Sequence, residues 1–121
     1  MNLKRLVSSF RYAWDGVKDV AKHEQNFKIH LLSAGAVALA GWYLQISVVE
    51  WLFILFAVTG VLAMELMNTA VERAVDLITS DPHPLAKKAK DASAAAVFVC
   101  AAGAGVSGSI IFLPKIFTIF F

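Results

Sequence analysis

The sequence predicts an all-α integral membrane protein, with three transmembrane helices and an N-terminal amphipathic surface helix. Two observations carry this expectation. The chain has only 121 residues, yet 59% of them are hydrophobic and its mean hydropathy is +0.68. A soluble domain of this size has too little interior to hide so much apolar surface. Second, three apolar segments each come close to the ~20 residues that a helix needs to cross hydrocarbon. One membrane-embedded domain covering 1–121 is therefore expected.

Residues 1–28 form the surface helix in this reading. Leu3, Leu6, Val7, Phe10, Trp14, Val17, Val20 and Ala21 recur at i, i+3, i+4, i+7 spacing, which is the mark of an amphipathic helix. Interleaved Lys and Arg with Phe10, Tyr12 and Trp14 suit the headgroup layer. The spans are expected at 29–46, 48–77 and 86–113. Trp42, Tyr43 and Trp51 flank the first turn as interfacial anchors. Thr79-Ser80-Asp81-Pro82-His83-Pro84 holds two prolines and capping residues, so the second span ends there. Pro114 is expected to end the third.

The charge pattern orients the chain. Lys and Arg cluster in the N-terminal stretch and again from Arg73 to Lys90, whereas the Gln45–Glu50 turn has none. The positive-inside rule then puts the N-terminus in the cytoplasm, in a multi-pass protein of the cell membrane. A net charge of +2 with sparse aromatics among the basic clusters excludes a nucleic-acid patch. Ala101, Gly105 and Ser109 repeat every four residues, a spacing that lets helices approach closely in lipid. Three spans are few for enclosing polar groups, so a homo-oligomer is expected.

Polar groups are present. Glu65, Asn68, Thr69, Glu72 and Asp76 fall within a stripe roughly a third of a turn wide on the second span. Ionisable groups at membrane depth are costly and mark functional sites. Glu65 and Glu72 lie about 10 Å apart on that face, so one could hold a divalent cation while the other takes a proton. Helix–helix adhesion would explain the Asn and Thr, but it explains two Glu and an Asp poorly. Lys90 and Asp91 open the third span and suit phosphate and cation contact, although Lys87 and Lys88 need nothing beyond a basic cytoplasmic flank. Glu24 reads as a solvated headgroup-level charge unless the surface helix folds beneath the spans, close to Glu72.

Other motifs lead nowhere. Gly103-Ala104-Gly105-Val106-Ser107-Gly108 spells G-x-G-x-x-G, but it follows no strand and lies inside an apolar span. There is no P-loop. Cys100 stands alone, and His23, His30 and His83 lack metal-ligand spacing.

Three motifs then resemble one family. These are Glu65-x-x-Asn68-Thr69-Ala70-Val71-Glu72-x-x-Val75-Asp76, His83-Pro84-Leu85-Ala86-Lys87 and Ala89-Lys90-Asp91, with Glu24-x-x-Phe27 and Arg5…Tyr12…Trp14 upstream. Together the pattern resembles the prokaryotic diacylglycerol kinases, and Asp76-Leu77-Ile78-Thr79 with the Phe112-Leu113-Pro114-Lys115 ending is similar to their Gram-positive branch, mainly undecaprenol kinases. The resemblance implies a homotrimer that uses Mg-ATP, with active sites shared between subunits. It implies Glu65 as general base with Asn68 in support, and Glu24 and Glu72 as Mg²⁺ ligands. Lys90, Asp91, Arg5 and Tyr12 would contact ATP, with Asp81 and His83 near the nucleoside.

The function expected is transfer of the γ-phosphate of ATP to undecaprenol in the bilayer, with diacylglycerol as the alternative acceptor. A small oligomeric cation channel or transporter is the alternative from another class, and a purely structural subunit is a third reading. Lys90 and Asp91 favour the kinase, because neither of these two needs a phosphate site.

Overall fold

A computed structural model describes residues 2–121 as four helices, with no strand among them. Helix α1 runs Leu3–His23, α2 Gln25–Tyr43, α3 Val48–Ile78 and α4 Pro84–Phe120. At 1.5 Å per residue α3 and α4 are about 46 and 55 Å long. Both are long and apolar enough to cross a membrane, and they pack on each other more extensively than any other pair. Helix α2 does not reach that standard: polar Gln25, Asn26, Lys28 and His30 fill its first turns.

The surface helix is shorter than expected. Asn2 caps it by accepting from the Arg5 N–H at 3.4 Å, and it stops at His23 because Glu24 is extended, at φ −96° and ψ 119°. Residues 25–28 therefore begin α2. Buried Val20 and Phe27 bracket this break, so tertiary packing places it where no Gly or Pro announces one. On α1, Leu3, Val7, Phe10 and Trp14 lie on one exposed stripe, the face a bilayer would take up.

Helix α2 ends at Tyr43 rather than 46. Gln45 adopts φ 49°, a left-handed conformation, and the Ile46 N–H donates back to the Gly41 carbonyl at 3.1 Å. Gly41 is needed here, since an added Cβ would lie 2.8 Å from the Trp51 ring. Ser47 and Glu50 then form a reciprocal capping box that starts α3, satisfying two otherwise orphaned N–H groups. Ile46, Ile54 and Ile111 make the core of this end of the molecule, with Val37, Leu44, Trp51, Val58 and Phe112 against it.

Pro114 does not stop α4, which continues to Phe120. A proline inside a helix costs roughly 3 kcal/mol, and the helix is held on both sides of it. Ile111 is buried in the core, and Lys115 pairs with Glu50 at 3.2 Å. The last span as expected, 86–113, thus covers the middle of a longer helix. The glycines of the G-x-G-x-x-G run lie within α4, and a Cβ at Gly103, Gly105 or Gly108 meets nothing within 4 Å. Gly105 and Gly108 border a cleft shared with α2 and α3, whereas Gly103 is exposed on another side of the helix.

Candidate functional site

The polar stripe on α3 is buried where it is most polar. Glu65 is 3% exposed, Asn68 8% and Thr69 4%, the only buried polar or charged residues among those described. Three helices divide the stripe between them. Glu65 and Asn68 line a cleft of about 340 Å³ with Asn26, Ile29 and His30 of α2 and Ala94, Val97, Phe98 and Ala101 of α4. Thr69 turns instead toward α1, lining another cleft with Tyr12, Val20 and Arg73. Asp76 reaches α4, where the Lys90 ammonium donates to its Oδ1. That ion pair supplies the contact that sequence reasoning could not assign to Asp76.

Asn68 is oriented by its neighbour. Its Nδ2 donates to Glu72 Oε1 at 3.3 Å, one turn along. The amide carbonyl Oδ1 is left buried with no hydrogen-bond partner, alone in this among the buried side-chain atoms described. Such an orphan acceptor costs about 1–3 kcal/mol, a cost that a donor entering the cleft would relieve. A substrate hydroxyl is such a donor.

Around the α3–α4 turn, Asp76, Asp81, His83, Lys87, Lys90 and Asp91 line a cleft of about 620 Å³. His83 also caps α4: its Nδ1 accepts from the Leu85 N–H at 3.1 Å, leaving Nε2 as the protonated nitrogen. Lys90 and Asp91 are neighbours that do not pair. Lys90 faces Asp76, and Asp91 receives the Lys87 ammonium.

The α1 side brings in residues that sequence reasoning missed. Arg73 Nη1 donates to Asp19 Oδ2 at 2.6 Å, and Nη2 lies 3.5 Å from Glu24 Oε1. His23 also faces Asp19, at 3.1 Å. The hydrogen bond from the Arg73 guanidinium holds the Asp19 carboxyl below the usual carboxylate range. One signal could have found the pair. An Arg beside an acidic stripe needs a carboxylate partner, and Asp19 and Glu24 are the acids of the adjoining helix end.

Of the residues expected in the site, Glu65 with Asn68 and Glu72, and Asp81 with His83, Lys90 and Asp91, come together as two groups. Glu24 meets Arg73, the residue that follows Glu72, at 3.5 Å. Tyr12 lies on the α1 cleft beneath the Arg11 guanidinium, which sits 5.5 Å from its ring centre. Arg5 is exposed near the start of α1 and lines none of these clefts. Among the described residues no three His, Cys, Asp or Glu converge as a ready metal site. Mg²⁺ does not demand that: it binds through one or two carboxylates, waters and substrate phosphates. The hard oxygen donors of Glu24 and Glu72 fit it.

A buried carboxyl and amide thus lie on a long apolar helix, flanked at one end by a cleft of lysines and acids. Residues 11–112 match the family described as prokaryotic diacylglycerol kinase. The chain belongs to that family, and is a membrane protein. It is 45% identical over 114 residues to the undecaprenol kinase of Bacillus subtilis strain 168, covering 94% of this chain and 93% of that one. It is 36% identical to a diacylglycerol kinase of Synechocystis, over 94% of this chain and 66% of the relative. With the diacylglycerol kinase of Haemophilus influenzae the identity is 32%, over 91% and 94%.

Proposed function

We propose that the protein is an ATP-dependent lipid kinase that phosphorylates undecaprenol, giving undecaprenyl phosphate and ADP. The observation that carries this is the buried pair of Glu65 and Asn68, with an acceptor lacking a donor, in a cleft among apolar helices. Support for the acceptor comes from the 45% identity to an undecaprenol kinase along nearly the whole chain. Diacylglycerol is the second reading, supported by the relatives that bear its name.

The chemistry follows from the placement. The lipid hydroxyl donates to Asn68 Oδ1 while its tail stays in hydrocarbon. Glu65 takes the hydroxyl proton as the oxygen attacks the γ-phosphorus, and the bond to the bridging oxygen of ADP breaks. Lys90, released from Asp76, offsets charge on the phosphates. Asp91, Asp81 and His83 bound the nucleotide end, with Tyr12 and Arg5 contributing from α1. Mg²⁺, held by Glu24 and Glu72, would neutralise phosphate charge.

The assembly belongs to the same reading. Helix α2 with the turn after it forms the first of three spans, the N-terminus faces the cytoplasm, and three subunits share their active sites. Only 17% and 6% of the span windows of α3 and α4 are buried within one subunit, which leaves most of both helices for neighbouring subunits and lipid. Gly103, small and exposed on α4, suits such contacts.

The test offers purified protein labelled γ-phosphate ATP with undecaprenol and diacylglycerol in competition. Preferential labelling of undecaprenol is expected. Preferential labelling of diacylglycerol selects the second reading, and cation flux in vesicles without lipid phosphorylation contradicts both.

A further inference from the structure

We propose that Arg73 is a positioning residue, one that clamps the end of the surface helix and the Glu24 hinge onto α3 beside Glu72. Its two terminal nitrogens reach two different carboxylates, Asp19 Oδ2 at 2.6 Å and Glu24 Oε1 at 3.5 Å. Glu24 is the single extended residue between α1 and α2. Without a restraint on its side chain, that hinge would leave the carboxylate free to swing. Val20 and Phe27 bury the backbone on either side of it. Arg73 adds the missing restraint on the side chain itself.

The energetics favour positioning over stabilisation. The Arg73 and Asp19 side chains are 51% and 44% exposed, and pairs so open to water contribute little to folding. The geometry also requires arginine. A planar guanidinium can serve two carboxylates through separate nitrogens, whereas a lysine ammonium is a point charge. Because Arg73 directly follows Glu72, the clamp ties the two proposed cation ligands to one turn of α3. The part of the inference that concerns the cation rests on the reading of Glu24 and Glu72 given above; the clamp itself does not.

The experiment uses the full chain in lipid nanodiscs. Arg73→Ala, Arg73→Lys, Asp19→Asn and Glu24→Gln are compared by hydrogen exchange at residues 17–24. In parallel, the KM for ATP is measured against Mg²⁺ concentration, with the KM for lipid alongside. Arg73→Ala should raise exchange across the hinge. It should also raise the KM for Mg-ATP by about fivefold, the upper range for an exposed pair, with the lipid KM unchanged. Arg73→Lys should fall between. Unchanged hinge protection in Arg73→Ala overturns the clamp, whatever the kinetics. Raised exchange with Mg²⁺ dependence unchanged in both Arg73→Ala and Glu24→Gln upholds the clamp and overturns the cation role of Glu24.

Discussion

Asn68 gives its amide N–H to Glu72 and keeps its own carbonyl oxygen buried and unanswered. One side chain thus couples the residue proposed to hold a cation to the cleft that holds Glu65. The arrangement lowers stability where it serves a ligand, and it makes Asn68 a sharp probe of the site.

Asn68→Ala removes an unsatisfied buried acceptor together with one long hydrogen bond. Thermal unfolding in detergent should therefore change by less than about 1 kcal/mol. Phosphotransfer should fall by about tenfold or more, as expected when a hydroxyl loses its acceptor. A variant that loses stability and activity in equal measure would mark Asn68 as structural glue.

Glu72→Gln keeps the shape of the side chain and its carbonyl acceptor for Asn68, but loses the charge. Titration of activity with Mg²⁺ should show the midpoint moved to higher concentration. The lipid KM should be unaffected. An unchanged midpoint would count against a ligand role for Glu72.

Gly41→Ala tests the far end of the molecule. The new Cβ would sit 2.8 Å from the rigid Trp51 ring, and such overpacking costs about 1–3 kcal/mol. A lowered unfolding temperature is expected, with turnover per folded molecule unchanged. Stability equal to that of the parent would show that Trp51 can move aside.

The Asp19–Arg73 pair carries a pH signature. The folded carboxyl titrates below its ordinary value because Arg73 donates to it, with His23 adding to the effect on its own helix. Its contribution is therefore complete above pH about 4 and disappears as acid carries the pH through the lowered value. Protection of residues 17–24, corrected for intrinsic exchange, should hold from neutral pH to about 4 and fall in stronger acid. Failure already near pH 6 would contradict a role for the Asp19 carboxylate.

Much of this was legible in the sequence, for identifiable reasons. The period of Glu65, Asn68, Thr69, Glu72 and Asp76 is a local property of one helix, so the stripe could be read directly. Its division could not, because which neighbour meets Asn68, Thr69 or Asp76 depends on how α1, α2 and α4 pack. The second span was expected at 48–77 and the helix there runs Val48–Ile78, its end marked by a proline-rich stop. The end of α1 was misjudged, since the break at Glu24 lies in an unbroken polar run and is set by Val20 and Phe27. Pro114 was read by its intrinsic penalty, which Ile111 and Lys115 offset from either side. Arg73 was passed over because its partners lie on α1 and at the hinge after it, 54 residues away in the case of Asp19.

The central claim is that Glu65 takes the proton from the lipid hydroxyl. Its most direct measurement is transfer of labelled γ-phosphate to undecaprenol by Glu65→Gln, with ATP binding followed on the same preparation. Turnover should be lost while ATP still binds with near-parent affinity. Lipid phosphorylation at the parent rate would contradict the claim.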